Sequence, residues 1–346
     1  MDDIQVGLIG YGPAGRFFHG PLIHATPGLR LAAVVTRDPG RAAEAGQRYG
    51  AAALPDAEQV FGRCDLVVVA SPNRTHVPLA TEALALGLPV IVDKPLAATA
   101  EEARRLVALA RERGRMLTVF QNRRWDGDFR TLRALLEEGA LGEVTRFESR
   151  FERWRPEPKG GWRESGGARE IGGLLYDLGS HLVDQALQLF GPVRTVYAES
   201  AARRPGVGSD DDTFVALGHE SGVRSHLWMS AVAARPGPRF RVLGSAGAYV
   251  KDGLDVQEDR LRAGRTPDEP GFGEEPEERW GEIGAAEGRR PLPTLPGSYL
   301  DFYRGVETAL RTGGQPPVDP AGAVAVLRVI EAARLSAEQG TVSHLS

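Results

Sequence analysis

Gly10-Tyr11-Gly12-Pro13-Ala14-Gly15 stands between an apolar, β-leaning run, Ile4 to Ile9, and a stretch with helical character. A strand that ends in G-x-G-x-x-G and opens into a helix leaves few folds available. Gly10 suits the tight turn, Gly12 lets the backbone approach a pyrophosphate, and Gly15 lets helix and strand pack closely. The helix N-terminus at Pro13 and Ala14 offers backbone N–H groups and a positive dipole end to phosphates. Gly10, Gly12, Pro13, Ala14 and Gly15 are therefore expected to contact a dinucleotide. A plain structural turn is the rival reading, because glycine is common in this chain, with 43 residues. The strand before the motif and the pattern after it favour the dinucleotide.

That pattern repeats the unit. Leu31 to Val35, Leu66 to Val69, Val90 to Val92 and Met116 to Phe120 are short apolar runs, separated by helical segments such as Leu79 to Leu86 and Ala100 to Arg113. Such runs point to a parallel sheet covered on both faces, the doubly wound α/β arrangement. The style changes after Asn122. Thr145 to Trp154, Asp212 to Leu217, Val223 to Ser230 and Arg239 to Leu243 read as strands without helices between them, hence an antiparallel or mixed sheet. The expected organisation is a Rossmann domain over 1–121 and a C-terminal α/β domain over 122–346, built on a large, mostly antiparallel sheet. Segment 264–297, rich in Pro, Gly and acidic residues, reads as a long surface loop. Ser298 to Arg311 and Ala321 to Glu338 read as closing helices.

Bulk composition excludes several function classes. The net charge is −4, which argues against nucleic acid as the main partner. No apolar run is long enough to span a membrane. Met1-Asp2-Asp3 leads almost directly into the first strand, so no signal peptide is expected. The single cysteine, Cys64, rules out an intramolecular disulfide and a cysteine metal cluster. A cytoplasmic location fits these features.

The second strand ends at Val35-Thr36-Arg37-Asp38. An acidic residue here holds the ribose 2′-hydroxyl of NAD, whereas arginine accommodates the 2′-phosphate of NADP. Thr36 and Arg37 together suit a phosphate, so NADP is expected over NAD. In the alternative, Asp38 holds the hydroxyl and Arg37 is a solvated charge.

Three further motifs follow in order: Ser71-Pro72-Asn73-Arg74-Thr75-His76, Asp93-Lys94-Pro95, and Gly172-Gly173-Leu174-Leu175-Tyr176-Asp177-Leu178-Gly179-Ser180-His181. With the glycine turn, they make the chain resemble the glucose–fructose oxidoreductase / inositol 2-dehydrogenase (Gfo/Idh/MocA) family over nearly its whole length. With Asn122-Arg123-Arg124-Trp125-Asp126 they are most similar to a bacterial branch containing NADP-dependent scyllo-inositol dehydrogenases. Asp93 departs from the family's usual Glu, keeping the carboxylate but shortening its reach. The resemblance implies cofactor contacts from Ser71, Pro72, Asn73, His76, Asp93 and Lys94, and from the Trp162-Arg163 pair. It implies a catalytic set of Lys94, Asp177 and His181. It also implies a homodimer or homotetramer formed through the C-terminal sheet.

The residues themselves suit such chemistry. Lys94 follows a parallel strand, where ligand crevices lie, and can donate a hydrogen bond to a substrate oxygen; a surface lysine is the bland alternative. Asp177 and His181, four apart in a helical pattern, share a face. Histidine can move a proton near neutral pH, as exchange between an alcohol and a ketone requires. A surface i, i+4 pair is the competing reading, and no third ligand is spaced for a metal. Trp162 and Arg163 lie among glycines and can also be read as a loop anchored by its Trp. Asn122, Arg123 and Trp125 leave the last parallel strand and suit a polyhydroxylated ring or, equally, hinge packing; Tyr176 joins them by its motif. The expected function is NADP-dependent oxidation of a secondary alcohol on an inositol or sugar. A dicarbonyl-sugar reductase, a dihydrodiol dehydrogenase and a non-catalytic redox sensor are the alternatives.

Overall fold

The computed structural model describes residues 2–158, 160, 164 and 171–345. The chain forms two compact units.

The first unit carries a six-stranded parallel sheet: β1 (Ile4–Ile9), β2 (Leu29–Val35), β3 (Ala52–Leu54), β4 (Leu66–Val69), β5 (Val90–Asp93) and β6 (Leu117–Phe120). Their spatial order is β3-β2-β1-β4-β5-β6, the doubly wound order expected of a dinucleotide-binding sheet. The central strands are apolar throughout because both faces are covered; Leu66 to Val69 and Val90 to Val92 are all fully buried. The order reverses between β1 and β4, so the crevice at their carboxyl ends is the natural ligand position. Local signals set the helix limits. Thr99 and Glu102 form a reciprocal capping box at the start of Ala100–Glu112. Asp38 caps Pro39–Tyr49, which ends at Gly50 in the left-handed region.

This unit is not contiguous in sequence. It takes in 1–125, then 256–273 and 298–324. Nothing in the sequence signals the two returning stretches. They are tied by polar contacts. Tyr303, on helix Leu300–Thr312, meets His19 Nδ1 at 2.6 Å, and Thr118 Oγ1 donates to Val318 O at 2.8 Å.

The second unit is built on nine strands: β7 (Val144–Glu152), β8 (Val193–Ala201), β9 (Asp212–His219), β10 (Arg224–Ser230), β11 (Phe240–Gly244), β12 (Ala248–Lys251), β13 (Gly281–Gly284), β14 (Arg290–Leu292) and β15 (Ser343–His344). The order is β14-β13-β12-β11-β7-β10-β9-β8-β15, and only β7 and β10 pair in parallel. The sheet is thus mostly antiparallel, as the helix-free spacing of strands implied. Segment 264–297 is a correction. It supplies β13 and β14, short strands at one side of the sheet whose Pro, Gly and charged residues hid them behind a loop-like composition. One face of the sheet, with Val215, Leu217, Leu227 and Met229, is buried. On the other face Phe214 opposes Trp228, ring centroids 5.1 Å apart, with the Arg150 guanidinium 3.9 Å from the Trp228 ring. Among the described residues no helix is long and apolar enough to cross a membrane.

His19 gives the first unit a defined pH response. Its ring is fully buried, and burial pushes its pKa from 6.5 down to about 4. The unfolded chain therefore takes up a proton that the folded unit refuses. This contribution is complete above pH 6.5 and falls away as the pH drops toward 4. Thermal midpoints measured across that window should fall with acid, and His19→Phe should show a shallower slope.

Candidate active site

The turn leaving β1 is shaped by contact with β4. Gly10 has φ +103°, and a Cβ there would lie 2.6 Å from the Ala70 carbonyl oxygen. At Gly15 a Cβ would meet Gly10 O at 2.3 Å, so helix and turn pack at backbone distance. Gly12 differs: a Cβ would meet nothing within 4 Å. Packing within the protein does not demand glycine at 12, whereas close backbone approach by a pyrophosphate does. Pro13 and Ala14 begin the helix, Arg16 N–H donates to Gly12 O at 2.8 Å, and Gly15–His19 is a π-helical turn. The cradle fits a dinucleotide.

At the end of β2, Asp38 Oδ1 accepts the Arg41 N–H at 2.8 Å, and the Asp38 N–H reaches Thr36 Oγ1 at 3.3 Å. The Asp38 carboxylate is therefore engaged as a helix cap. Arg37 projects into solvent, with its side chain 81% exposed, and pairs with Asp56 at 2.7 Å.

The turns after β4 and β5 carry the other first-unit motifs. Ser71 Oγ and Thr75 Oγ1 lie 2.6 Å apart, Thr75 Oγ1 donates to Pro72 O, and Asn73 sits in a short 3-10 turn. Lys94 is half-buried just past β5, and its N–H donates to Asp93 Oδ1 at 2.8 Å. The Asp93 carboxylate, shorter than a glutamate's, thus turns back onto its own chain. His76 is 1% exposed, with both ring nitrogens at backbone carbonyls. Burial pushes its pKa below the usual histidine value, opposed by the Asp93 carboxylate and the two carbonyls.

In the second unit the helix expected over Leu174 to Phe190 has two parts. Leu175–Gly179 is a π-helical turn, and Ser180–Phe190 is α-helical. Asp177 lies in the first part and His181 in the second. The polar face is solvated only at its C-terminal end, at Gln188. His181, Asp184 and Gln185 are all buried, which removes the reading of His181 as half of a surface pair. Gln185 Oε1 accepts from Arg239 at 2.7 Å, and the Arg239 guanidinium sits 4.4 Å from the Phe151 ring centroid. Sequence reasoning missed the residue that starts this helix. Asp210 accepts the Leu174 N–H through its carbonyl at 3.0 Å, and the Leu175 N–H and Thr213 hydroxyl through Oδ2 at 2.8 and 3.0 Å. Gly173, at φ +92°, is required here, because a Cβ would lie 1.8 Å from Asp210 Oδ1. Three consecutive aspartates, 210–212, gave no sign of which one caps.

The remaining candidates divide. Arg123 is buried, donates to the Tyr299 hydroxyl at 3.0 Å and pairs with Glu258, so its guanidinium ties the returning stretches to the first unit. Asn122 is buried. Trp125 meets Phe302 edge-on, centroids 5.6 Å apart, while its carbonyl accepts from Ser298 N and Gln257 Nε2. Tyr176 is buried beside Arg334, and burial raises its pKa against the pull of that arginine. Trp162 and Arg163 lie outside the described residues. Among the described residues no group of three or more His, Cys, Asp or Glu could hold a metal ion.

Comparison with known proteins fits this geometry. Residues 4–121 match the oxidoreductase family with the NAD-binding Rossmann fold, and 129–250 match the GFO/IDH/MocA C-terminal domain. The Escherichia coli oxidoreductase YdgJ is 42% identical over 95% of both chains. The chain belongs to the GFO/IDH/MocA oxidoreductase family. The scyllo-inositol 2-dehydrogenase (NADP(+)) IolW of Bacillus subtilis is a further relative of this GFO/IDH/MocA member, 34% identical over 98% of this chain and 95% of its own. The solved YPO2259 oxidoreductase of Yersinia pestis, 41% identical, superposes with a TM-score of 0.92 over 100% of this chain and 98% of its own. Both GFO/IDH/MocA domains are thus present, and the protein is an NAD(P)-binding oxidoreductase.

Asp210 yields a direct test. Burial raises its carboxyl pKa above the ordinary aspartate value, against the pull of the bonds it accepts, so its charge is costly while those bonds are favourable. Asp210→Ala leaves the buried Leu175 N–H and the Thr213 hydroxyl without their acceptor and should cost about 1–3 kcal/mol. Asp210→Asn keeps an acceptor without the charge and should stay within about 1 kcal/mol of wild type. Denaturant midpoints for the two variants check this.

Proposed function

We propose that this protein is an NADP-dependent dehydrogenase that interconverts a secondary alcohol and a ketone on an inositol or sugar, with scyllo-inositol as a candidate substrate. The observation that carries the cofactor preference is the engagement of Asp38 as a helix cap. It leaves Thr36 and the exposed Arg37 as the groups suited to the ribose substituent, and that substituent is then a phosphate. The similarity to a scyllo-inositol 2-dehydrogenase (NADP(+)) supports both the cofactor and the substrate class.

Gly10, Gly12 and the helix start at Pro13 to Gly15 hold the pyrophosphate, and the turns at Ser71 to Asn73 and Asp93 to Lys94 line the nicotinamide side. NADP, when bound there, would supply the hydride acceptor or donor. Lys94 donates a hydrogen bond to the reacting oxygen from its ammonium group. His181 takes the hydroxyl proton as the carbon becomes a carbonyl and returns it in the reverse direction. Asp177 orients the imidazole or binds a neighbouring hydroxyl. Trp162 and Arg163 are assigned to the cofactor. The contacts of Arg123 and Trp125 favour a tying role for these two over substrate binding, so Asn122 is kept as the substrate candidate of that segment. The open sheet face, with Phe214 and Trp228 half-exposed in the single chain, supports assembly of a homodimer or homotetramer through this sheet.

Two measurements test the reading. A charge-assisted hydrogen bond contributes about 1.5–3 kcal/mol, so NADPH should bind on the order of 10- to 100-fold more tightly than NADH. Arg37→Ala should erase most of that difference. Equal affinities in the wild type overturn the cofactor assignment.

His181→Ala should lower turnover by about 10²–10⁴-fold and leave NADPH affinity nearly unchanged. Steady-state assays on a panel of inositols and aldoses, beside binding titrations, decide this. Wild-type turnover in that variant would make His181 a structural residue.

A further inference from the structure

One buried titratable side chain joins two functional turns. His76 opens the helix His76–Ala85, beneath the carboxyl ends of β4 and β5. Its Nδ1 lies 2.8 Å from Pro95 O, and its Nε2 lies 2.9 Å from Ser71 O. Ser71 begins the turn after β4, and Pro95 directly follows Lys94 after β5. The two strands pair in register only as far as Val69 and Val92. Beyond that pair the chains continue as separate turns, and the imidazole spans them. A neutral ring donates to one carbonyl and turns its lone pair to the other; a protonated ring donates to both. In either state both nitrogens face backbone carbonyls inside the protein, so the ring is placed to act through the turns themselves. The Lys94 N–H is held meanwhile by the Asp93 carboxylate. The backbone around Lys94 is therefore fastened on both sides.

We propose that His76 is a positioning residue, which holds the Lys94 turn in fixed geometry to the dinucleotide-binding turn at Ser71. The importance of that geometry rests on the assignment of Lys94 to catalysis.

Three substitutions separate positioning from simple packing. His76→Phe keeps the ring and removes both polar atoms. His76→Asn is too short to span the carbonyls, and His76→Gln reaches them with an amide. Affinity is read with NADPH and NADH as probes, by fluorescence titration of the whole chain. Lys94, Lys159 and Lys251 are the only lysines, so protein carrying ε-¹³C-lysine gives a sparse spectrum in which Lys94→Arg identifies the Lys94 signal. His76→Phe and His76→Asn should weaken binding of the preferred nucleotide by about tenfold, the upper end of what one lost hydrogen bond contributes, and displace the Lys94 signal. His76→Gln should recover affinity to within about threefold. A folded Phe or Asn variant with wild-type affinity and an unmoved Lys94 signal overturns the proposal, as does a Gln variant impaired as badly as Phe. If the Phe variant does not fold, the Asn–Gln contrast carries the same decision. Both readouts work without substrate. Failure of the Lys94 assignment itself appears separately, as turnover retained in Lys94→Ala.

Discussion

At residue 10 the chain leaving β1 passes so close to the backbone of Ala70 and Ser71 that no side chain fits between them. This steric constraint organises the first unit. It sets β1 beside β4 at the point where strand order reverses, and it turns the chain into the helix that begins at Pro13. Gly15 repeats the constraint one turn later, against Gly10 itself. The two glycines are required by the protein's own packing, whereas Gly12 faces open space. One motif therefore combines two residues fixed by packing with one that faces open space.

Polar groups buried at strand and helix ends do the remaining work. Asp210 starts the helix that carries Asp177 and His181, and His76 spans the turns after β4 and β5. Each carries a desolvation cost, visible in the raised aspartate and lowered histidine pKa values. Each offsets that cost through hydrogen bonds to backbone that would otherwise lack partners in the interior. π-helical turns occur at Leu175–Gly179, at the helix start held by Asp210, and at Gly15–His19, after β1. Such π-helical turns are frequent at functional sites.

Much of this was legible in sequence, because the relevant signals are local. The glycine turn, the apolar strands and the helix-free spacing of the second half depend on neighbouring residues, and they led to the parallel sheet and to the mostly antiparallel one. What stayed hidden depends on distant partners. Arg123 has the composition of a ligand-binding residue, yet its guanidinium meets Glu258 and Tyr299, more than a hundred positions away. Asp210 looks like its two acidic neighbours until the helix it caps is in place. The strands inside 264–297 are short and rich in Gly, Pro and charge, which composition alone does not tell from a loop.

The threading of the first unit has a consequence for biosynthesis. Its sheet is complete once Phe120 has been made, but the helix Leu300–Thr312, whose Tyr303 meets His19, comes from the opposite end of the chain. Domains made from one continuous stretch can close while the ribosome is still at work. Here the sheet waits, with part of its covering absent, until the second unit has been translated. Contacts spanning 284 positions, such as His19 to Tyr303, add the loop-closure entropy that slows folding. The nascent N-terminal third is thus an intermediate with an uncovered apolar flank, the kind of species that chaperones engage.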